Sequence, residues 1–362
     1  MPSVQKDNPR VARAIRLWLW VGVVMLFLQV VIGGVTRLTG SGLSITRWEV
    51  ITGTLPPLSE QAWKKAFDLY KATPQYAKIN RGMSLSEFKF IYFWEYFHRL
   101  WARLMFLAFV VPFGIFLWRS LLPKYLLKHL LAVISLAALE GFFGWIMVAS
   151  GLIHRPWVNA YNLLLHLCMA LVIFSYLLWI TLSTYEVKPD PGYRKRWISI
   201  SYALLGVLFL QIALGALMSG TRAGLFFPSW PDMNGTYWPT ILADVSYWNW
   251  DSFVHYDSNP FMPALIQFLH RNVGYLLFLV GLYAAALLWK QASTPPLRWA
   301  SLALGGVLCG QVLLGILTLI HFRGGVPVLL GVLHQMGAVL LLGIVIFVVY
   351  VVMKSRRLVS LA

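Results

Sequence analysis

The sequence predicts an all-α, polytopic membrane protein: eight transmembrane helices forming two pseudo-symmetric four-helix bundles, N-in and C-in. Three observations predict it. Of the 362 residues 59% are apolar and 12% charged, with a mean hydropathy of +0.69, whereas a soluble domain carries about 25% charged residues. The apolar residues gather in eight runs of about 20 or more, the helix length that crosses a bilayer core of about 30 Å. The second half of the chain also repeats motifs of the first. Disordered, collagen-like and disulfide-stapled classes are excluded by 15% aromatic residues, the lack of a Gly-X-Y period and only two cysteines. A net charge of +17 would suit a nucleic-acid partner, but the cations sit in tails and short connections. That is a membrane-topology signal, and no nucleic acid is expected.

The runs lie at about 15 to 36, 89 to 118, 127 to 150, 158 to 184, 196 to 218, 262 to 289, 297 to 321 and 326 to 353. Basic residues of short connections mark the cytoplasmic side. With the N-terminus inside, that side collects Lys6, Arg10, Arg13, Arg16, Arg119, Lys124, Lys128, Lys188, Arg194, Lys195, Arg196, Lys290, Arg298, Lys354, Arg356 and Arg357. The short connections opposite hold only Arg155 and Arg323. The first span runs on into Gly33-Gly34-Val35-Thr36-Arg37 without a small-residue cleavage pattern, so it is expected to be retained. In the outer loop 37 to 88, Trp63, Phe67 and Tyr70 share one helical face between Lys64, Lys65 and Lys71, which suggests a helix lying on the membrane interface. Ser84 with Glu87 makes a capping box and Met83 with Phe88 a hydrophobic staple, so the second helix starts near Leu85. The other long outer loop, 219 to 261, is acidic through Asp232, Asp244, Asp251 and Asp257. Cys168 and Cys309 lie within spans, and no Cys-X-X-Cys-His is present for covalent haem attachment.

The repeat divides the chain into halves, 1 to 185 and 186 to 362. Leu26-Phe27-Leu28-Gln29-Val30 recurs as Leu208-Phe209-Leu210-Gln211-Ile212, and Gly42-Leu43 with Trp48 recurs as Gly224-Leu225 with Trp230, both at an offset of 182. Glu95-Tyr96-Phe97-His98-Arg99 in the second span meets Gln267-Phe268-Leu269-His270-Arg271 in the sixth, and His166 in the fourth meets His334 in the eighth. A Gln-or-Glu-x3-Gly pattern marks all four odd spans, at Gln29, Glu140, Gln211 and Gln311. Four spans per repeat start both halves inside, related by an axis along the membrane normal.

His98, His166, His270 and His334 each lie in an even-numbered span, about 12 Å below the outer interface at 1.5 Å per residue. Taken singly, each is as readily a hydrogen-bonded packing residue. Four at one depth and at matching repeat positions suit two pairs of axial nitrogens for haem iron, one pair in each half. Zinc fits less well, because only Glu95 and Glu140 lie near as further ligands; a proton relay stays open. His129, His154, His255 and His321 are read as surface residues. Arg99, Arg103 and Arg271 could meet haem propionates, as could Arg37, Arg47 and Arg222, but Glu95 and Arg99 could equally neutralise each other at i to i+4. The halves differ in that Glu95 stands one turn before His98 where Gln267 stands before His270, and Glu140 matches Gln311. A carboxyl at a haem edge could move protons or stabilise developing charge, which an amide cannot do.

With eight spans in two halves, Glu-x-x-His-Arg at 95 to 99, His166, His270-Arg271, His334 and Gly-Leu-Ser-Ile-Thr-Arg-Trp at 42 to 48, the sequence resembles the haem A synthase family along about 15 to 353. That resemblance implies oxidation of the C8 methyl of haem O to a formyl group, with haem b as an electron-relaying cofactor. His270 and His334 would then ligate haem b, His98 and His166 would face the substrate haem, and Glu95 would be the catalytic carboxylate; Arg99 and Arg271, each directly after one of these histidines, are read as cofactor-binding. It also implies haem O synthase and oxidase assembly proteins as partners, membrane lipid as surroundings, and an electron partner that the residues do not name. The lack of an outer-loop cysteine pair resembles the branch shared by proteobacteria and mitochondria. The short N-terminal tail favours a bacterial inner membrane, with the haem sites toward the periplasm. A di-haem electron-transfer protein and a non-enzymatic haem carrier would use the same histidines.

Overall fold

The computed structural model describes residues 9–47, 52–152, 155–322 and 324–359. Lys6, Trp48, His154 and Arg323 lie outside the described residues, as does the side chain of Arg357. The regular elements are helices, and the one β-contact among the described residues is an isolated bridge from Met233 to Thr236. Among the described residues eight helices are long and apolar enough to cross a membrane, and the protein is a multi-pass membrane protein. The described residues pack as two compact units, one from Val21 to Ile173, the other joining the chain up to Trp20 with everything from Phe174 onward.

The Val21–Ile173 unit takes in most of α1 (Pro9–Leu38), then α2 (Glu60–Lys71), α3 (Pro74–Lys78), α4 (Leu85–Trp118), α5 (Lys124–Leu152) and the first part of α6 (Ala160–Ser183). The helix starts follow the capping chemistry of the sequence. Ser59 accepts from the Ala62 N–H, Thr73 precedes Pro74 at the first helical position, and Ser84 and Glu87 make the reciprocal capping box. The face of α2 expected to lie on lipid is instead covered by protein. Phe67 stacks on Phe88 with ring centroids 4.9 Å apart, Trp63 lies edge-on to Tyr92 at 5.0 Å, and Tyr70 is fully buried with Ile91 in the same cluster. An amphipathic pattern specifies an apolar face, not what covers it. Gln75 Nε2 donates to the Gly40 carbonyl at 3.0 Å, and the Tyr70 hydroxyl donates to Gln75 Oε1 at 3.0 Å, so α2 and α3 are tied to the end of α1. Thr36 Oγ1 joins α1 to the Trp94 carbonyl of α4 at 3.1 Å.

In the other unit, α7 (Lys195–Gly220) leads through 3-10 turns and α8 (Trp250–Val254) to α9 (Phe261–Gln291), α10 (Pro295–Ile320) and α11 (Val328–Val359). α9 packs on α7 and α10, and α11 packs on α10 and α7, which closes a four-helix bundle. At one end a core of Tyr193, Trp197, Leu288, Leu297, Val348 and Val351 gathers the helices. There the buried Asp190 carboxylate accepts from the Gly192, Ser293 and Thr294 N–H groups and from Thr294 Oγ1 at 2.6 to 3.0 Å. Burial pushes this carboxyl up, but the bonds from Thr294, Ser293 and Gly192 outweigh it and hold it below the usual aspartate value.

Candidate functional site

The Gln-or-Glu-x3-Gly pattern has a structural meaning that the sequence reading did not assign. Each of its glycines lies against the imidazole of the next span. A β-carbon at Gly33 of α1 would stand 3.0 Å from Cε1 of His98 in α4, and one at Gly144 of α5 3.1 Å from His166 in α6. One at Gly215 of α7 would stand 3.3 Å from His270 in α9, and one at Gly315 of α10 3.1 Å from His334 in α11. Glycine lets each ring rest on the neighbouring backbone.

One turn before each glycine stands a polar side chain. Gln29 Nε2 lies 3.3 Å from His98 Nε2 and Gln211 Nε2 lies 3.3 Å from His270 Nε2. Glu140 Oε1 is 3.0 Å from His166 Nδ1, and the Gln311 amide lies over Gly337, one turn past His334. The rings of His98 and His166 are near enough to interact electrostatically, as are those of His270 and His334. Nδ1 of His98, His270 and His334 is buried without a hydrogen-bond partner, and so are Oε1 of Gln29 and Gln211. Buried polar atoms nearly always find partners, so orphans on and beside these histidines mark candidate ligand sites. Among the described residues no three His, Cys, Asp or Glu side chains gather as a ligand set for a bare ion.

The Glu95 carboxylate is buried beneath the 44–47 segment. Its Oε2 accepts from Ser44 Oγ at 2.7 Å and the Ile45 N–H at 2.8 Å, and its Oε1 accepts from Arg99 Nη2 at 2.5 Å. The two residues thus make the i to i+4 pair that the sequence allowed. Arg99 also donates to the carbonyls of Ile45 and Arg47 at 3.3 and 3.4 Å. In the second half, Gln267 Nε2 donates to the Phe227 carbonyl at 2.6 Å, and Arg271 donates to those of Ser229, Pro231 and Asp232. Beside Arg99 and Arg47 a cleft of about 100 Å³ is walled by Ile45, Trp145, Val148 and Leu152.

A family model described as cytochrome oxidase assembly protein, COX15-CtaA, matches residues 16–346. Relatives named Heme A synthase align over nearly the whole chain. That of Caulobacter sp. (strain K31) is 40% identical over 332 residues, which are 91% of this chain and 94% of its own. That of Bradyrhizobium sp. (strain ORS 278) is 40% identical over 350 residues, 95% and 91% of the two chains. That of Caulobacter vibrioides is 38% identical over 334 residues, 92% and 94%. The chain belongs to the haem A synthase family.

For a haem A synthase family member, a pair of imidazoles is the natural unit, because haem iron accepts two axial nitrogens. The donor set here fits that demand twice. The sequence reading missed the glycine seats, Gln29 and Gln211 as imidazole partners, and the Ser44–Ile45 anchor. The four-fold recurrence of Gln-or-Glu-x3-Gly was the available signal for the first two. The anchor joins residues 50 apart and has no local signature. Of the histidines read as surface residues, His255 pairs with Asp251 at 2.7 Å and His321 bonds the Leu317 carbonyl at 2.8 Å, both exposed.

Proposed function

We propose that this haem A synthase family member oxidises the C8 methyl of haem O to a formyl group. The observation that carries the proposal is the duplicated imidazole pair on glycine seats, combined with a buried carboxylate that stands beside one pair only. Haem O is the substrate, taken between His98 and His166, with Arg99 and Arg47 at the cleft meeting its carboxylates. The methyl is oxidised to an alcohol and then to a gem-diol, each step losing two electrons and two protons and gaining one oxygen at the level of water, with the electrons passing to an external acceptor; the gem-diol then loses water to leave the aldehyde. His270 and His334 would hold haem b, and Arg271, next to His270 in the sequence, would meet its propionates. Haem b, when bound, supplies one-electron transfer at a potential set by its two imidazoles. Glu95 stabilises charge developing near the substrate and moves a proton at Oε2 or Oε1, each transfer breaking one of its three donor contacts.

The halves 1–185 and 186–362 run in the same sense through a bacterial inner membrane, N-in and C-in, with both sites toward the periplasm; the cation distribution supports this. Haem O synthase supplies the substrate, and oxidase assembly proteins receive the product. The test is to express Glu95→Gln beside a source of haem O, extract the pigments and weigh them by mass spectrometry. Both haems should be retained while haem A falls at least about 100-fold, within the range for losing an acid–base group. Full haem A yield removes Glu95 from the chemistry. A wild-type chain that returns its haems unaltered is an electron carrier rather than this enzyme.

A further inference from the structure

Three of the four residues that stand one turn before a glycine seat are glutamines, and the fourth is Glu140. The proposed chemistry leaves this carboxyl group without a task, yet Glu140 Oε1 lies 3.0 Å from Nδ1 of His166, both side chains being largely buried. The contact is close but not aligned along the N–H, and Oε2 is buried without a partner, so the carboxylate has a free oxygen to turn onto the ring. His98 and His270, by contrast, face the neutral amides of Gln29 and Gln211 through Nε2. At the matching place in the second half Gln311 extends over Gly337. Charge therefore enters this layer at one histidine of four.

We infer that Glu140 is a positioning residue for the substrate haem. Its carboxylate takes the Nδ1–H of His166, which fixes that tautomer and presents Nε2 to the pocket. A carboxylate behind a ligating imidazole strengthens its electron donation to the metal, so His166 becomes the strongest donor of the four. The second half, with an amide at 311, has no such carboxylate, and the two sites differ in electron affinity through a residue that touches neither porphyrin. This inference rests on the pairing of His98 with His166 proposed above.

The experiment uses the full chain in detergent, loaded with haemin as the probe, with the Soret band followed through a potentiometric titration and a haemin binding titration. Glu140→Gln should weaken the first-half site about 10- to 100-fold, the usual effect of losing such a partner, and raise its midpoint potential while the second-half component stays in place. Gln311→Glu should do the converse, lowering the potential of the second-half component alone; it keeps the inference testable if Glu140→Gln folds poorly. Both components unmoved in both variants would overturn it. A wild-type chain that takes up haemin only through His270 and His334 would overturn the two-site reading itself, and this inference with it.

Discussion

Arg99 and Arg271 each reach back to the segment that follows the preceding odd-numbered span, and they grasp carbonyls at equivalent places, Arg47 in one half and Ser229 in the other, 182 residues apart. One turn earlier, Glu95 accepts from the Ile45 N–H while Gln267 donates to the Phe227 carbonyl, and Ile45 and Phe227 are again 182 apart. The latch is common to both halves. What changes is its sign: where the helix offers an acceptor the segment turns an N–H inward, and where it offers a donor the segment turns a C=O inward. Fastening the segment is therefore no reason for an acid, since an amide does it equally well. The charge at 95 has to be explained by what lies beside it.

The largest effect should come from removing each latch. Glu95→Ala removes the carboxylate that pairs with Arg99, whose side chain is only 14% exposed. Breaking a buried pair in this way costs about 3–5 kcal/mol. Gln267→Ala orphans one carbonyl, at about 1–3 kcal/mol. Thermal unfolding in detergent should place Glu95→Ala well below Gln267→Ala. Equal midpoints would mean that the ion pair adds nothing beyond the fastening that both halves share.

Next come the glycine seats. Gly33→Val and Gly215→Val should each displace the ring that rests on them, at about 1–3 kcal/mol of overpacking; carried into the bound state, that is roughly 5- to 150-fold in haem affinity. The loss should be confined to the half that carries the change, and larger at Gly33, where the approach is 3.0 Å against 3.3 Å. Haem stoichiometry measured on each purified variant checks this. If either variant loads both sites fully, the seats do not position the imidazoles.

The two buried acids among the described residues, Glu95 and Asp190, invite a control. Asp190 is held below its unfolded value, so its stabilisation is present above the ordinary aspartate value of about 3.9 and is lost as pH falls through the lower folded value. Asp190→Asn should lower stability by about 1–2 kcal/mol at neutral pH, and the gap to wild type should close on acidification below about pH 4. Neither haem spectrum should change. A spectral change would mean that the latch at this end of the bundle is coupled to the site chemistry.

How much of this could be read from residues alone depends on the range of the interaction. The eight spans were recognisable within a few residues because apolar length is a local property, and the start at Leu85 because a capping box closes within one turn. The matching places of His98, His166, His270 and His334 in the two halves were legible through the repeat, which counts the same position twice. The covering of α2 by Phe88 and Tyr92, and the anchoring of Glu95 to Ser44 and Ile45, were not. They depend on where a loop returns, and neither periodicity nor capping records that.

The smallest effect tests what the two sites have in common. Gln29 and Gln211 hold Nε2 of His98 and His270 at the same 3.3 Å. A metal bound through that nitrogen must displace the amide, so the hydrogen bond competes with ligation. Removing it by Gln29→Leu or Gln211→Leu should then tighten haemin binding, by about 0.5–1.5 kcal/mol for one such bond, which is roughly two- to tenfold. The gain should be the same in both halves, because neither glutamine carries the charge that separates them. Weaker binding in both variants would show the reverse, with the amide steering the imidazole while the metal is bound. Opposite signs in the two halves would place part of the asymmetry in this layer of neutral residues and not in Glu95 and Glu140 alone.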